Sequence, residues 1–292
     1  MVDHDRLSGF LNLVKPVGMT SHDAVARVRK LSGCRAVGHA GTLDPEALGV
    51  LPLAFGGYTK LLPWTKLTPK TYQGRMVLGT STTSGDAQGA TSARSGPPWP
   101  TGDDVARASM WLTGDRIQIP PRVSALKQNG RRLYDLARQG LSVWPDARVI
   151  QVESIRVLTG GADRWQFETT VGSGTYIRAL VRDWGMILGH SAHLEDLVRT
   201  QVGSFSIASA WSLSHLESLG SQWINALETF YPHLDLVAVE VEEPWVTLIA
   251  HGRRDILSEV VGNTQGTIAL TANHAIIAIV SGPPWRFEKV LL

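Results

Sequence analysis

Apolar residues dominate Gly9-Phe10-Leu11-Asn12-Leu13-Val14 and stop at Lys15-Pro16, which predicts a short buried strand. Thr20-Ser21-His22-Asp23 then offers a hydroxyl cap with an acid three residues on. Ala24, Val25, Val28 and Leu31 follow at helical spacing before Gly33. That pattern predicts a capped amphipathic helix ending at Gly33. Thr71 to Leu78 and Trp165 to Val171 read as strands. Asp103-Asp104 are expected to cap a helix bearing Val105, Ala108, Trp111 and Leu112. Arg132 to Gln139 reads as a short helix and Tyr176 to Leu188 as a longer one. Ser92 to Gly102, with Pro97, Pro98, Trp99 and Pro100, is a loop by composition.

Past Tyr231-Pro232-His233 the pattern turns β-rich, with Val237 to Val241, Gly266 to Leu270 and a last strand over Val290-Leu291-Leu292. The expected organisation is one large domain over residues 8–231 and a small β-rich one over 238–292. Strands and helices mix without βαβ alternation, so the expected fold class is α+β. With 292 residues, 43% hydrophobic and 18% charged, the chain has the apolar surface to order itself. Its one cysteine, Cys34, excludes an intrachain disulfide and a four-cysteine zinc site. The first six residues lack a cationic-then-apolar signal pattern, and the longest apolar run, Ala275 to Val280, is too short to span a bilayer. A cytoplasmic protein is expected.

Charge sharpens the picture. The net value is only +2. Residues 1–231 carry 24 basic and 19 acidic side chains, whereas residues 232–292 carry 4 and 7. Arg122, Lys127, Arg131, Arg132, Arg138 and Arg148 stand against only Asp135 and Asp146 in one segment. Arg27, Arg29, Lys30 and Arg35 lie together in another. Two local basic clusters on a nearly neutral chain are either solvated faces or nucleic-acid contacts. Between them lies Gly38-His39-Ala40-Gly41-Thr42-Leu43-Asp44-Pro45, continuing to Pro52. Small residues let backbone approach a ligand, and Pro45 biases Asp44 to an extended conformation. A carboxylate on such a stiff turn can be a nucleophile or a general base, or merely an Asp-Pro turn.

That loop resembles the signature of the bacterial TruB family of tRNA pseudouridine synthases. Four further blocks agree in order: Leu13 to Ser21, with its Lys-Pro pair; Lys70-Thr71-Tyr72; Ile119 to Lys127 with Gly130 to Tyr134; and Ser173-Gly174-Thr175-Tyr176-Ile177-Arg178. The resemblance covers about residues 9–215. It implies the pseudouridine synthase fold, with a mixed, mainly antiparallel sheet, an RNA-gripping thumb insertion over about 120–148 and a small C-terminal PUA-like domain. It implies conversion of uridine 55 in the tRNA T-loop to pseudouridine, without cofactor, by a monomer that needs no protein partner.

The resemblance also assigns residues. Asp44 acts at the sugar, either by attacking C1′ or by removing the C2′ proton. Arg178 supplies the opposing charge that keeps it anionic, through the bidentate geometry of a guanidinium. Tyr72 stacks on the extruded uracil and helps remove the C5 proton. Tyr176 packs under the site, and Leu197 walls the base pocket. His39 fills the space the base leaves, and Lys15 supports the loops through Pro16. Lys127, Arg131 and Arg132 grip the stem-loop in the thumb. Two positions depart from the family pattern: Ser173 stands where many members carry lysine, and Val198 replaces a common basic residue. The last ~55 residues are also short and net acidic for an RNA-binding PUA domain. A tRNA-folding chaperone, a guide-dependent synthase and a nucleoside glycosidase are the competing readings.

Overall fold

The computed structural model describes residues 7–122, 127–128, 131–132, 145–228 and 233–291. Contacts divide the chain into two compact units. One comprises Met1–Pro45, Gly49–Leu67 and Val202–Leu292, and the other Glu46–Leu48 and Thr68–Gln201.

In the first unit the strand Gly9–Lys15 pairs antiparallel with Leu48–Phe55, Leu13 opposite Leu51, and parallel with Trp211–Ser212. The short strand Val37–His39 pairs with the far end of Leu48–Phe55. Both faces of this sheet are covered. Leu11, Leu13, Leu51, Leu53 and Phe55 pack on Ala24, Val25 and Val28 of the helix Ser21–Ser32. Phe10, Val50 and Ala54 on the other face pack on Tyr58, Leu61, Phe205, Ala269, Ile276 and Ile279. Double coverage explains the near-continuous apolar run of the first strand. Each of the buried valines, leucines, isoleucines and phenylalanines contributes about 1.5–3 kcal/mol relative to an exposed side chain.

The helix Ser21–Ser32 starts and stops where its sequence indicates. Thr20 and Asp23 form a reciprocal capping box, and Gly33 closes the helix in the left-handed conformation.

The C-terminal segment forms its own sheet in the order Val237–Glu240, Gly266–Ala272, Ala275–Gly282, Arg286–Val290. Ile268, Leu270, Ala278 and Val280 face Ile249 and Leu257, which lie on two short helices, Glu243–Ala250 and Leu257–Val261. Those helices are not apparent from the β-rich reading of this region. The last strand ends at Val290, and Leu292 lies outside the described residues.

The second unit is a sheet in the order Ala192–Val202, Lys70–Leu78, Arg164–Val171, Arg148–Gly161, Gly114–Gln118. The pairings around Arg164–Val171 and Arg148–Gly161 are antiparallel. The helices Gly102–Met110 and Ile177–Ile187 meet through Trp184, which is fully buried, donates to the Val105 carbonyl at 3.1 Å and meets Phe167 edge-on at 5.6 Å.

Four expectations need correction. The cap of the helix Gly102–Met110 is Thr101, with Asp104 closing the capping box, because the Thr101 hydroxyl, two residues before Asp103, reaches the Asp104 amide. Trp111 and Leu112 both lie beyond that helix, Trp111 70% exposed and Leu112 buried. Thr91–Arg94 is a strand paired with Thr80–Thr82, so the loop narrows to residues 95–101. Arg132 pairs as a strand residue with Lys127, and 133–139 lie outside the described residues.

The architecture is α+β, with mixed, mainly antiparallel sheets. Among the described residues no helix is long and apolar enough to cross a membrane. Since Trp184 ties both helices of the second unit to its sheet, Trp184→Ala is expected to lower the unfolding free energy by about 3–5 kcal/mol, measured by urea denaturation.

Candidate active site

Asp44 stands outside regular structure, half-buried, immediately before the turn at Pro45 and Glu46. Its backbone neighbours are tied on both sides. On one side the Ser21 hydroxyl accepts from the Leu43 amide at 2.9 Å and donates to the Leu43 carbonyl at 3.1 Å. On the other, the Pro45 carbonyl accepts from Lys15 Nζ at 3.1 Å and from the Gly18 amide at 2.9 Å. Lys15 is fully buried, and its ammonium also donates to the Pro16 and Met19 carbonyls, each at 2.7 Å. A buried ammonium is costly unless dipoles replace its hydration, and these three carbonyls do so. The same bonds fix the loop. Gly41, three residues before Asp44, takes φ +84, a left-handed turn that glycine adopts without strain. His39 sits half-buried on the strand Val37–His39, its backbone opposite Leu53.

The remaining expected residues belong to the second unit. Tyr72 is buried on the strand Lys70–Leu78, opposite Thr169. Leu197 is buried on Ala192–Val202. Tyr176 flanks the helix Ile177–Ile187, and Arg178 is its second residue. Arg178 is buried, and its Nη1 donates to the Ser84 carbonyl at 2.9 Å and to Asp86 Oδ2 at 3.3 Å. Asp86 is itself held: Oδ1 accepts from the Ser84 hydroxyl at 2.5 Å and from the Gln88 amide at 3.1 Å. Between them Gly85 takes φ +77 with its α-carbon turned to Arg178, where an added Cβ would stand 3.4 Å from the arginine's own. The turn therefore lies beside the arginine stem, with room for a Cβ in ordinary contact, and its positive φ is what favours glycine.

Asp86, which holds Arg178, is not among the residues that the sequence singles out. Its only local signal is Ser84-Gly85-Asp86, an Asx-type turn like many others. Arg199, two residues past Leu197, was also missed and is 1% exposed. Lys70 shares a strand face with Tyr72. Loss of water pushes the Lys70 ammonium down to about 8, and the Arg199 charge adds to the shift.

Lys127 and Arg131 lie on two-residue strands in which Lys127 faces Arg132 and Gln128 faces Arg131. The remaining thumb residues 123–126, 129–130 and 133–144 lie outside the described residues. A cavity of ≈ 730 Å³ lined by Trp99, Trp111 and His190 opens at the far end of the Arg178 helix, beside Leu188 and Gly189, and takes no part in this site.

Comparison with known proteins bears on the family and the fold. Residues 29–177 match the TruB family pseudouridylate synthase N-terminal domain, and residues 178–242 the tRNA pseudouridylate synthase B C-terminal domain. The chain is 42% identical over 212 residues to tRNA pseudouridine synthase B of Moorella thermoacetica, covering 71% of this chain and 70% of the relative. It is 35% identical over 294 residues to that of Dehalococcoides mccartyi, covering 98% and 97%. In fold it resembles a chain of the Cbf5-Nop10-Gar1 complex, with a TM-score of 0.72, 24% identity, and coverage of 99% of this chain and 86% of that one. The sequence blocks, the α+β architecture and these relatives converge: the chain belongs to the TruB family of tRNA pseudouridine synthases.

Proposed function

We propose that this enzyme converts uridine 55 of the tRNA T-loop to pseudouridine, with the Asp44 carboxylate acting at the ribose. The observation that supports Asp44 most is its anchoring: Leu43 and Pro45, on either side, are each held by two hydrogen bonds from buried or backbone groups. A carboxylate that must meet one sugar carbon gains rate from such fixed placement.

In the reaction the N1–C1′ bond breaks, the uracil turns within the pocket, and C5 bonds to C1′. The C5 proton then leaves, so uridine and pseudouridine differ only in connectivity. Uracil departs as a stabilised anion. The carboxylate assists either by attacking C1′, forming an ester that the returning C5 displaces, or by taking the C2′ proton to give a glycal. Arg178 provides the counter-charge for Asp44. Tyr72 stacks on the base and receives or relays the C5 proton. Tyr176 and Leu197 line the base pocket.

A T-loop uridine lies inside a folded loop, and extruding it costs a few kcal/mol. His39 occupies the vacated space. The thumb residues Lys127, Arg131 and Arg132 grip the stem-loop through phosphates, and Lys15 keeps the catalytic loop in place. The domain over 238–292 acts as a reduced PUA-like module. The enzyme works as a monomer in the cytoplasm, on bare tRNA and without cofactor.

An unmodified tRNA transcript tritiated at uridine C5 tests this reading, because pseudouridine formation releases that tritium to water. Release mapped to the T-loop uridine is expected from the wild type. Asp44→Asn should abolish it while leaving tRNA affinity within about tenfold, since the carboxylate contributes to the transition state rather than to binding. Turnover above a tenth of wild type would sink the assignment, and free uracil as product would mark a glycosidase. Arg178→Ala should slow the reaction more than it weakens binding, as seen by comparing single-turnover rates with Kd. Affinity for tRNA should also fall as salt rises from 50 to about 200 mM, because phosphate contacts release counterions; a flat response would contradict the thumb grip.

A further inference from the structure

The thumb insertion leaves the sheet at Gln118 and re-enters it at Arg148, and these two residues are register partners across the strands Gly114–Gln118 and Arg148–Gly161. Both hold Tyr176. The Gln118 side-chain amide pairs with the Tyr176 backbone in both directions: Nε2 donates to the Tyr176 carbonyl at 3.2 Å, and Oε1 accepts from the Tyr176 amide at 2.9 Å. The Arg148 guanidinium carbon stands 5.4 Å from the centre of the Tyr176 ring. One residue beyond Gln118, the Ile119 carbonyl accepts from Arg182 Nη2 at 3.0 Å. The root of the insertion thus touches the Arg178 helix on both sides of Arg178.

Two features show that this contact is built. Gln118 is 2% exposed, in a strand whose neighbouring residues are largely open to solvent. The helix Ile177–Ile187 has no side-chain cap at its N-terminus, where orphan amides normally take one. Gln118 holds the backbone of the flanking residue in its place. The chemistry selects glutamine narrowly. A carboxamide presents one donor and one acceptor side by side, matching the amide and carbonyl of a single residue. Glutamate of the same shape has lost the donor, and asparagine is one methylene short.

We propose that Gln118 is a positioning residue for Arg178. By fixing the backbone at Tyr176, it sets where the helix begins and so where the Arg178 guanidinium points, two residues on. It also joins the root of the RNA-gripping insertion to the arginine of the reaction. This inference rests on the role given to Arg178 above.

Single-turnover tritium release from C5-tritiated tRNA, with Kd measured in parallel, tests it. Gln118→Ala should slow release by about 10- to 100-fold at saturating tRNA, the scale of a small misplacement of a reacting group, with Kd within about threefold. Gln118→Glu, which keeps the acceptor for the Tyr176 amide, should fall between the two. In an Arg178→Lys background, Gln118→Ala should add little, because both changes act on one group. Weaker binding with a wild-type rate at saturation would overturn the proposal and leave Gln118 as a support of the RNA grip alone. Fully multiplicative effects in the double variant would overturn it as well. If Gln118→Ala does not fold, Gln118→Glu decides, and a wild-type rate there rejects the proposal. A wild-type rate in Arg178→Lys alone would instead reject the role of Arg178, whatever the Gln118 variants show.

Discussion

The loop that carries Asp44 is tied to one buried ammonium. Lys15 lies at the end of a strand sealed on both faces, and its charge is satisfied by the carbonyls of Pro16, Met19 and Pro45. Removing that charge would take the common donor from three carbonyls, of which Pro45 would keep only the Gly18 amide. The core fixes the strand, the strand fixes the ammonium, and the ammonium fixes the Pro45 carbonyl beside Asp44. Ser21 closes the other side from the start of a capped helix. Placement of the carboxylate is thus inherited from hydrophobic packing several residues away.

The second unit solves a different problem. A buried guanidinium needs partners on several sides, and Arg178 finds a carbonyl at Ser84 and a carboxylate at Asp86. Its helix is anchored at the other end by Trp184. Arginine suits this position because its planar fork can serve more than one oxygen while its charge stays fixed. The turn at Ser84-Gly85-Asp86 acts as a preset socket, with the Asp86 carboxylate oriented by Ser84 and Gln88 before it meets the arginine.

Much of this was legible in the sequence, where the governing physics is local. The helix after Thr20 follows from a capping box, a periodic apolar face and a terminating glycine, all within fourteen residues of chain. The strands carrying Tyr72 and Phe167 follow from their composition. Asp44 stands out because a rigid Asp-Pro turn among small residues is chemically suggestive, and the family resemblance gives it a role. The ties that make the site were not legible. Asp86 and Arg178 are 92 residues apart, and Gln118 and Tyr176 are 58 apart. No periodicity reports a hydrogen bond across such distances. The helix cap at Thr101 is not legible because Thr101, Asp103 and Asp104 all have capping side chains, and only backbone geometry selects among them. The helices at Glu243–Ala250 and Leu257–Val261 were hidden because short apolar segments beside strong strand signals read as more strand.

The most direct measurement replaces Lys15 with methionine, which keeps the stem and removes the charge. Amide hydrogen exchange at Gly18 and Leu43 would be followed beside single-turnover tritium release, in a protein shown by circular dichroism to remain folded. If the ammonium organises the catalytic loop, exchange at both amides accelerates and release slows by about a hundredfold, as for a reacting group displaced by an ångström. Protected amides together with wild-type release would show that the loop holds Asp44 without Lys15, and would contradict the dependence of the site on that buried charge.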